Sequence, residues 1–116
     1  MVNAGAEPPL LLRAAGGALE VVEVSGLPLG LERGELYRAA PLRLSAGDTL
    51  VLATDGITEV RNGSEFLGFE GLARLVRGAL PTPSLSPMAG SIVECARAFC
   101  SKGFTDDVCL LLARRR

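Results

Sequence analysis

The hydrophobic pattern of the chain predicts strands mainly in its first half. Short apolar runs next to Pro and Gly predict extended segments over 10–13 and 19–24, and a less regular extended pattern continues over 35–44. The run 49–53 is dominated by apolar residues and lies between turn signals, which is typical of a strand buried on both faces. A last apolar run over 108–112 predicts a further strand.

The second half contains apolar residues at intervals of three and four positions, which predicts two amphipathic helices. The first covers 69–80 and is expected to end at Pro81 and Pro83. The second extends to about residue 101, with Ser86 as its N-cap and Pro87 at the first helical position. Strands, two helices and a returning strand predict a single domain of the α+β class.

Composition and charge exclude several classes of function. The chain has 116 residues, with 12 Lys+Arg against 13 Asp+Glu, and only four Phe, one Tyr and no Trp. Nucleic-acid binding is disfavoured because it usually requires a basic surface and aromatic stacking platforms. Since the longest apolar run is far shorter than the ~20 residues of a membrane-spanning helix, we expect no membrane association and a cytoplasmic protein.

The side chains available for chemistry are restricted by the absence of His from the sequence. Ser-His-Asp triads, Cys-His dyads and His-ligated zinc are therefore excluded within this chain. The three cysteines lack a C-x-x-C pair, and Cys95 and Cys109 are expected to be small buried hydrophobes among apolar neighbours. Any metal ion must be held by oxygen ligands.

Two acidic segments stand at the ends of predicted buried strands. Asp55 follows the run 49–53, and Asp106 and Asp107 precede the last strand. If these two strands are neighbours, about 5 Å apart, one carboxylate from each could reach a common hard cation such as Mg²⁺ or Mn²⁺. The alternative interpretation is structural, because Asp-Gly is a common turn dipeptide and Thr-Asp often caps loop amides.

The segment around Asp55 can also be compared with the motif of a phosphatase class that forms a covalent intermediate. A strand followed by Asp-x-Asp-Gly-x-Thr is the signature of haloacid-dehalogenase-like phosphatases, in which the first Asp is the nucleophile. This chain has Ala53 at that position. Without the carboxylate no covalent intermediate can form, so this chain shares with those phosphatases only the sequence of the turn.

The run from Leu44 to Asn62, LSAGDTLVLATDGITEVRN, resembles a known family. It is similar to the metal-dependent serine/threonine protein phosphatases of type 2C, in the bacterial SpoIIE- and RsbU-like branch. Further blocks match in the same order along the chain: 3–13, 26–30, 66–68 and 105–107.

The resemblance implies an antiparallel β-sandwich flanked by helices, with a two-metal Mn²⁺ or Mg²⁺ site. In such a site a metal-activated water hydrolyses phosphoserine or phosphothreonine on a regulatory protein of the anti-sigma-factor antagonist type. Asp55 and Asp106 would be metal ligands and catalytic residues, Asp107 would lie beside them, and Gly56 would permit a close turn.

The resemblance further implies that residues 1–116 are the C-terminal part of such a domain, with the missing half or an N-terminal sensor domain as an expected partner. The acidic residue that bridges the two metals in the family has no counterpart here, since Asp48 belongs to the turn before the motif strand. Ala6 and Glu7 stand where family members commonly have a His after Asn-Ala-Gly. An uncovered sheet face would favour self-association or pairing with the missing half. The alternative function is therefore a catalytically incomplete fragment that binds a partner or itself.

Overall fold

The computed structural model describes residues 1–80 and 82–116. Within these described residues, six short strands and three helices follow one another along the chain. In order they are β1 (Leu10–Leu12), β2 (Leu19–Val21), β3 (Thr49–Ala53), α1 (Asp55–Thr58), β4 (Arg61–Asn62), β5 (Glu65–Phe66), α2 (Gly68–Gly78), α3 (Leu85–Phe99) and β6 (Leu110–Arg114).

Four strands form one antiparallel sheet in the order β2-β1-β3-β6, and β4 and β5 form a separate hairpin. The interior strand β3 pairs with β1 on one side and with β6 on the other, so that Leu50 lies opposite both Leu11 and Ala113. The predicted α+β class with an antiparallel sheet and helices is confirmed. Within residues 1–80 and 82–116, the only other sheet is the two-stranded β4–β5 hairpin.

The core lies between one face of the sheet and the helices α2 and α3. The sheet contributes Leu10, Leu12 and Val51, which are at most 4% exposed. Full burial of such a side chain stabilises the fold by about 1.5–3 kcal/mol. The helices and the segment after β3 contribute the remaining buried apolar side chains, namely Ile57, Val60, Leu67, Leu72, Val76, Ala79, Met88, Ile92 and Ala96.

The opposite face of the sheet is covered only in part. Alternation along the strands places Leu11, Leu50, Leu52 and Leu111 on this face. Leu11 is buried, whereas Leu111 on the edge strand β6 is 52% exposed. In the described part of the chain β6 pairs with β3 alone, which leaves its outer edge open. The predicted uncovered sheet face is therefore present at the β6 side.

Several element boundaries differ from the sequence-based predictions. The segment 35–44 forms no strand, and Leu36 is 86% exposed there, so its apolar alternation is not used for burial. α2 ends at Gly78, and Pro81, one of its two predicted terminators, lies outside the described residues. The N-cap of α3 is Ser84, so Ser86 lies within the helix.

The expectation of two buried cysteines is wrong, since Cys95 and Cys109 are both exposed. The buried stripe of α3 consists of Met88, Ile92 and Ala96, and Cys95 lies beside it rather than on it. Cys109 precedes β6 in an exposed segment. Throughout 1–80 and 82–116, no helix has both the length and the apolar composition required to cross a membrane.

Asp48 organises the turn that leads into β3. Its side chain is 2% exposed and accepts hydrogen bonds at 2.9 Å from the backbone N–H groups of Ala14 and Ser45. It also accepts a bond from the Arg13 guanidinium at 2.9 Å. These donors, the two backbone amides foremost, hold the pKa of the Asp48 carboxyl below its usual value. Asp48 therefore has a structural role.

We expect Asp48→Asn to lower the free energy of unfolding at pH 7, because the neutral amide interacts more weakly with the same donors. Since the pKa of Asp48 is lower in the folded than in the unfolded chain, ionisation stabilises the fold above about pH 4. This contribution is lost as the pH falls through the folded pKa. Urea unfolding should therefore show a difference between variant and wild type that shrinks below about pH 4. A constant difference down to low pH would contradict this role, and Glu32→Gln, in an exposed loop, is the control.

Candidate metal-binding site

Asp55 is presented by a short helix that follows the central strand without a loop. β3 ends at Ala53, and Asp55 is the first residue of α1. The burial of Ile57 and Thr58 fixes the position of this helix, whereas Asp55 is exposed. The carboxylate thus stands in solvent on a fixed backbone, as a metal ligand requires.

Asp106 and Asp107 lie in the segment that precedes β6, and both are exposed. The Asp107 N–H donates a hydrogen bond to Asp106 Oδ1 at 2.7 Å. This local bond orients the Asp106 side chain and leaves its second oxygen available to a ligand.

Thr54 joins the two acidic segments. Its hydroxyl donates to the Asp107 carbonyl oxygen at 3.0 Å and accepts from the Cys109 N–H at 2.9 Å. The Thr54 N–H also donates to the Cys109 carbonyl oxygen at 3.0 Å. The condition that the Asp55 and Asp106 strands be neighbours is met, because β3 and β6 are paired with Ala53 opposite Leu110. This role of Thr54 was not predicted from the sequence, because its partners Asp107 and Cys109 become its neighbours only through the β3–β6 pairing.

Gly56 permits the close approach of these segments in a different way from that expected. Gly56 lies in α1 and does not have the positive φ of a left-handed turn. A Cβ built on Gly56 would lie 2.2 Å from the Asp107 carbonyl oxygen and 2.9 Å from its carbonyl carbon. The residue must therefore lack a side chain because the Asp107 backbone occupies that space.

The chemistry of the side-chain donors at this corner suits a hard cation. Asp55 and Asp106 offer carboxylate oxygens, which Mg²⁺ and Mn²⁺ prefer, and such ions commonly keep several waters when they bind few protein ligands. Among residues 1–80 and 82–116 no group of three or more His, Cys, Asp or Glu is placed to hold a metal ion. Asp55 and Asp106 are the candidate ligands at this corner.

The loop at the N-terminus is held by its own hydrogen bonds. The Asn3 amide donates to the carbonyl oxygens of Ala6 and Val24 at 2.9 and 3.0 Å, and its Oδ1 accepts from the Ala6 N–H. A Cβ on Gly26 would lie 2.4 Å from the Asn3 carbonyl oxygen. The blocks around Asn3 and Gly26 thus form one packed unit, in which Gly26 must lack a side chain.

Comparison with solved structures defines the class of fold. The structure is similar to the crystal structure of the RsbU and RsbW domains of Rv1364c from Mycobacterium tuberculosis, with a TM-score of 0.74 and 30% identity, covering 98% of this chain and 31% of that chain. It is also similar to the SiaA-PP2C domain of Pseudomonas aeruginosa, with a TM-score of 0.74 and 20% identity, covering 97% of this chain and 44% of that one. The fold is therefore of the PP2C-domain type.

The sequence comparisons identify the family. The family model for stage II sporulation protein E, SpoIIE, matches residues 1–116. The chain is 28% identical over 114 residues to the phosphoserine phosphatase RsbU of Bacillus subtilis (strain 168), covering 98% of the chain and 34% of that protein. The chain belongs to the SpoIIE family, as its motifs predicted, and it spans about a third of the length of this curated relative.

Proposed function

We propose that the chain is the C-terminal part of a metal-dependent phosphatase domain that hydrolyses phosphoserine or phosphothreonine on a regulatory protein. The observation that carries the proposal is the clamp formed by Thr54, which holds the Asp55 and Asp106 segments at adjacent strand ends. Family membership supports the same chemistry, because the Bacillus subtilis relative is named a phosphoserine phosphatase. We propose an anti-sigma-factor antagonist as the kind of substrate, and cytoplasm as the location.

Each residue of the site has a separate task in this proposal. Asp55 and Asp106 would hold Mn²⁺ or Mg²⁺, and the bound ion would supply Lewis-acid stabilisation of a phosphoryl oxygen and a more acidic water. Thr54 and Gly56 fix the spacing of the two backbones, and Asp107 anchors its segment through its carbonyl oxygen. Because the chain has no His, protonation of the departing serine oxygen does not use an imidazole of this chain.

The test is phosphate release from a phosphoserine peptide by protein expressed from the complete gene. We expect release with Mn²⁺ or Mg²⁺, loss of release in EDTA, and recovery when the metal is restored, because the carboxylates alone provide no electrophile. The matching phosphotyrosine peptide is the control for substrate class. Equal rates with and without EDTA would contradict the proposal.

The alternative function is binding of a partner or of a second copy without catalysis. The exposed Leu111 and the open edge of β6 favour it, because an unpaired apolar edge strand is a template for association. Sedimentation velocity of the 116-residue chain measures self-association directly. Concentration-dependent dimers, together with no phosphate release by the complete protein, would favour this function over the phosphatase.

A further inference from the structure

A cavity of about 330 Å³ lies beside the candidate metal-binding site, between the β4–β5 hairpin and the segment that joins α3 to β6. Its wall includes Val60, two residues after α1, and Thr105, which directly precedes Asp106. The cavity therefore adjoins the segment that carries Asp106, and Val60 connects it along the chain to α1, which begins with Asp55. Nothing in the metal chemistry proposed above requires it.

Two cationic side chains line this cavity, Arg61 on β4 and Lys102 in the segment after α3. The Ser101 N–H donates to the Arg61 carbonyl oxygen at 3.3 Å, so the backbones that carry the two cations are joined beside the cavity. The Arg61 guanidinium lies 4.1 Å from the centroid of the Phe66 ring, which restricts its motion. In the part of the chain that the structure describes, neither cation forms an ion pair.

The charge distribution indicates what this cavity binds. Asp55 and Asp106 make one side of the surface anionic, and the adjoining cavity is cationic. The phosphate of a phosphoserine peptide would be repelled by Asp55 and Asp106 unless a metal ion lay between them. The cationic cavity, in contrast, attracts a carboxylate of the peptide directly. Since adjacent Cα atoms are about 3.8 Å apart, residues within about three positions of the phosphoserine could reach from Asp106 into the cavity.

We infer that the cavity beside Arg61 and Lys102 is a specificity site that binds acidic side chains flanking the phosphoserine of the protein substrate. The inference rests on the proposed function, because it treats the bound peptide as a substrate. It adds a requirement that the metal site alone does not impose, namely Asp or Glu close to the phosphorylated serine.

The experiment measures peptide binding to the 116-residue chain in EDTA by fluorescence anisotropy. Three labelled probes are compared: a phosphoserine peptide with flanking Glu, the same peptide with flanking Gln, and the Glu peptide with unphosphorylated Ser. We expect both Glu peptides to bind about threefold to tenfold more tightly than the Gln peptide, and this difference to fall with added salt.

Variants of the two cationic residues test whether the cavity causes the difference in affinity between the Glu and Gln peptides. Arg61→Gln and Lys102→Gln should each weaken binding of the Glu peptides about threefold to fivefold, and Arg61→Lys should retain most of the affinity because it keeps the charge. Lys102→Gln should not disturb folding, because Lys102 is exposed. Weaker binding by this variant can therefore be assigned to the lost charge. Arg74→Gln, an exposed cation on α2, is the matched control and should leave affinity unchanged.

The inference would be overturned by equal affinity for the Glu and Gln phosphopeptides, which would mean that the cavity binds phosphate or nothing. It would also be overturned if Arg61→Gln and Lys102→Gln both bound like wild type. Because binding is measured in EDTA and without turnover, this failure is distinct from failure of the phosphatase assay.

Discussion

Asp55→Asn and Asp106→Asn should each lower metal-dependent phosphoserine hydrolysis by roughly 100-fold or more in protein expressed from the complete gene. Replacing a hydrogen-bonding partner of a metal ligand typically costs 10–100-fold in affinity or activity, so loss of a ligand's charge should cost at least as much. Asn preserves the shape of the side chain, and both positions are exposed, so the fold should be unaffected. The measurement is the rate of phosphate release across a Mn²⁺ titration.

The titration separates loss of a ligand from loss of structure. A variant that lacks one anionic ligand should require more Mn²⁺ for whatever rate it retains, whereas a misfolded variant should lose rate at every concentration. Glu65→Gln, an exposed carboxylate on β5, is the matched control and should behave as wild type. If either Asp variant kept the wild-type rate and Mn²⁺ dependence, its assignment as a ligand would be wrong.

Gly56→Ala is expected to destabilise the fold by roughly 1–3 kcal/mol, which is the usual cost of inserting a methyl group into filled space. The new Cβ would meet the Asp107 carbonyl oxygen at 2.2 Å, and this obstacle is backbone rather than a flexible side chain. Relief of the clash requires the Asp106–Asp107 segment to move away from α1. Phosphatase activity should therefore fall together with stability, measured by urea unfolding.

The matched control is Gly90→Ala in the middle of α3. Gly90 is exposed, and a Cβ there would meet nothing within 4 Å. This substitution should stabilise the chain by about 0.5–1 kcal/mol, because Ala loses less backbone entropy than Gly in a helix. Equal stability of Gly56→Ala and wild type would show that the approach of Gly56 to Asp107 is not a constraint on the fold.

The parts of the fold that the sequence predicted well are those in which burial and periodicity agree. Thr49–Ala53 forms β3 with the predicted bounds, because its apolar residues fill an interior position of the sheet. The second helix that the periodicity predicted forms α3, in which Met88, Ile92 and Ala96 are buried. In these elements local preference and tertiary packing favour the same structure.

The errors arise where tertiary contacts override the local signal. The Asp55-Gly56 dipeptide has the composition of a turn, yet it begins a helix because Ile57 and Thr58 are buried beneath it. The segment 35–44 has an extended pattern but acquires no strand partner. No local sequence pattern predicts the contact of Gly56 with Asp107, because the two residues are 51 positions apart.

Some residues of the candidate site were likewise predicted from the sequence, and others were not. Asp55 and Asp106 could be selected from the sequence because each adjoins an apolar strand and because the family motif includes both. Thr54 could not, since its two side-chain hydrogen bonds reach Asp107 and Cys109, which only the β3–β6 pairing brings near. The cationic cavity likewise depends on the approach of β4 to the segment after α3.

The central claim is that Asp55 and Asp106 bind one divalent cation, and paramagnetic broadening tests it on the 116-residue chain itself. Small additions of Mn²⁺ should broaden the amide NMR signals of 55–57 and 106–109 together, weakly, because two carboxylates leave most of the ion's waters in place. Mg²⁺ should reverse the broadening by competition, and Asp55→Asn or Asp106→Asn should abolish it at both segments. Broadening of only one segment, or of neither, would contradict the claim.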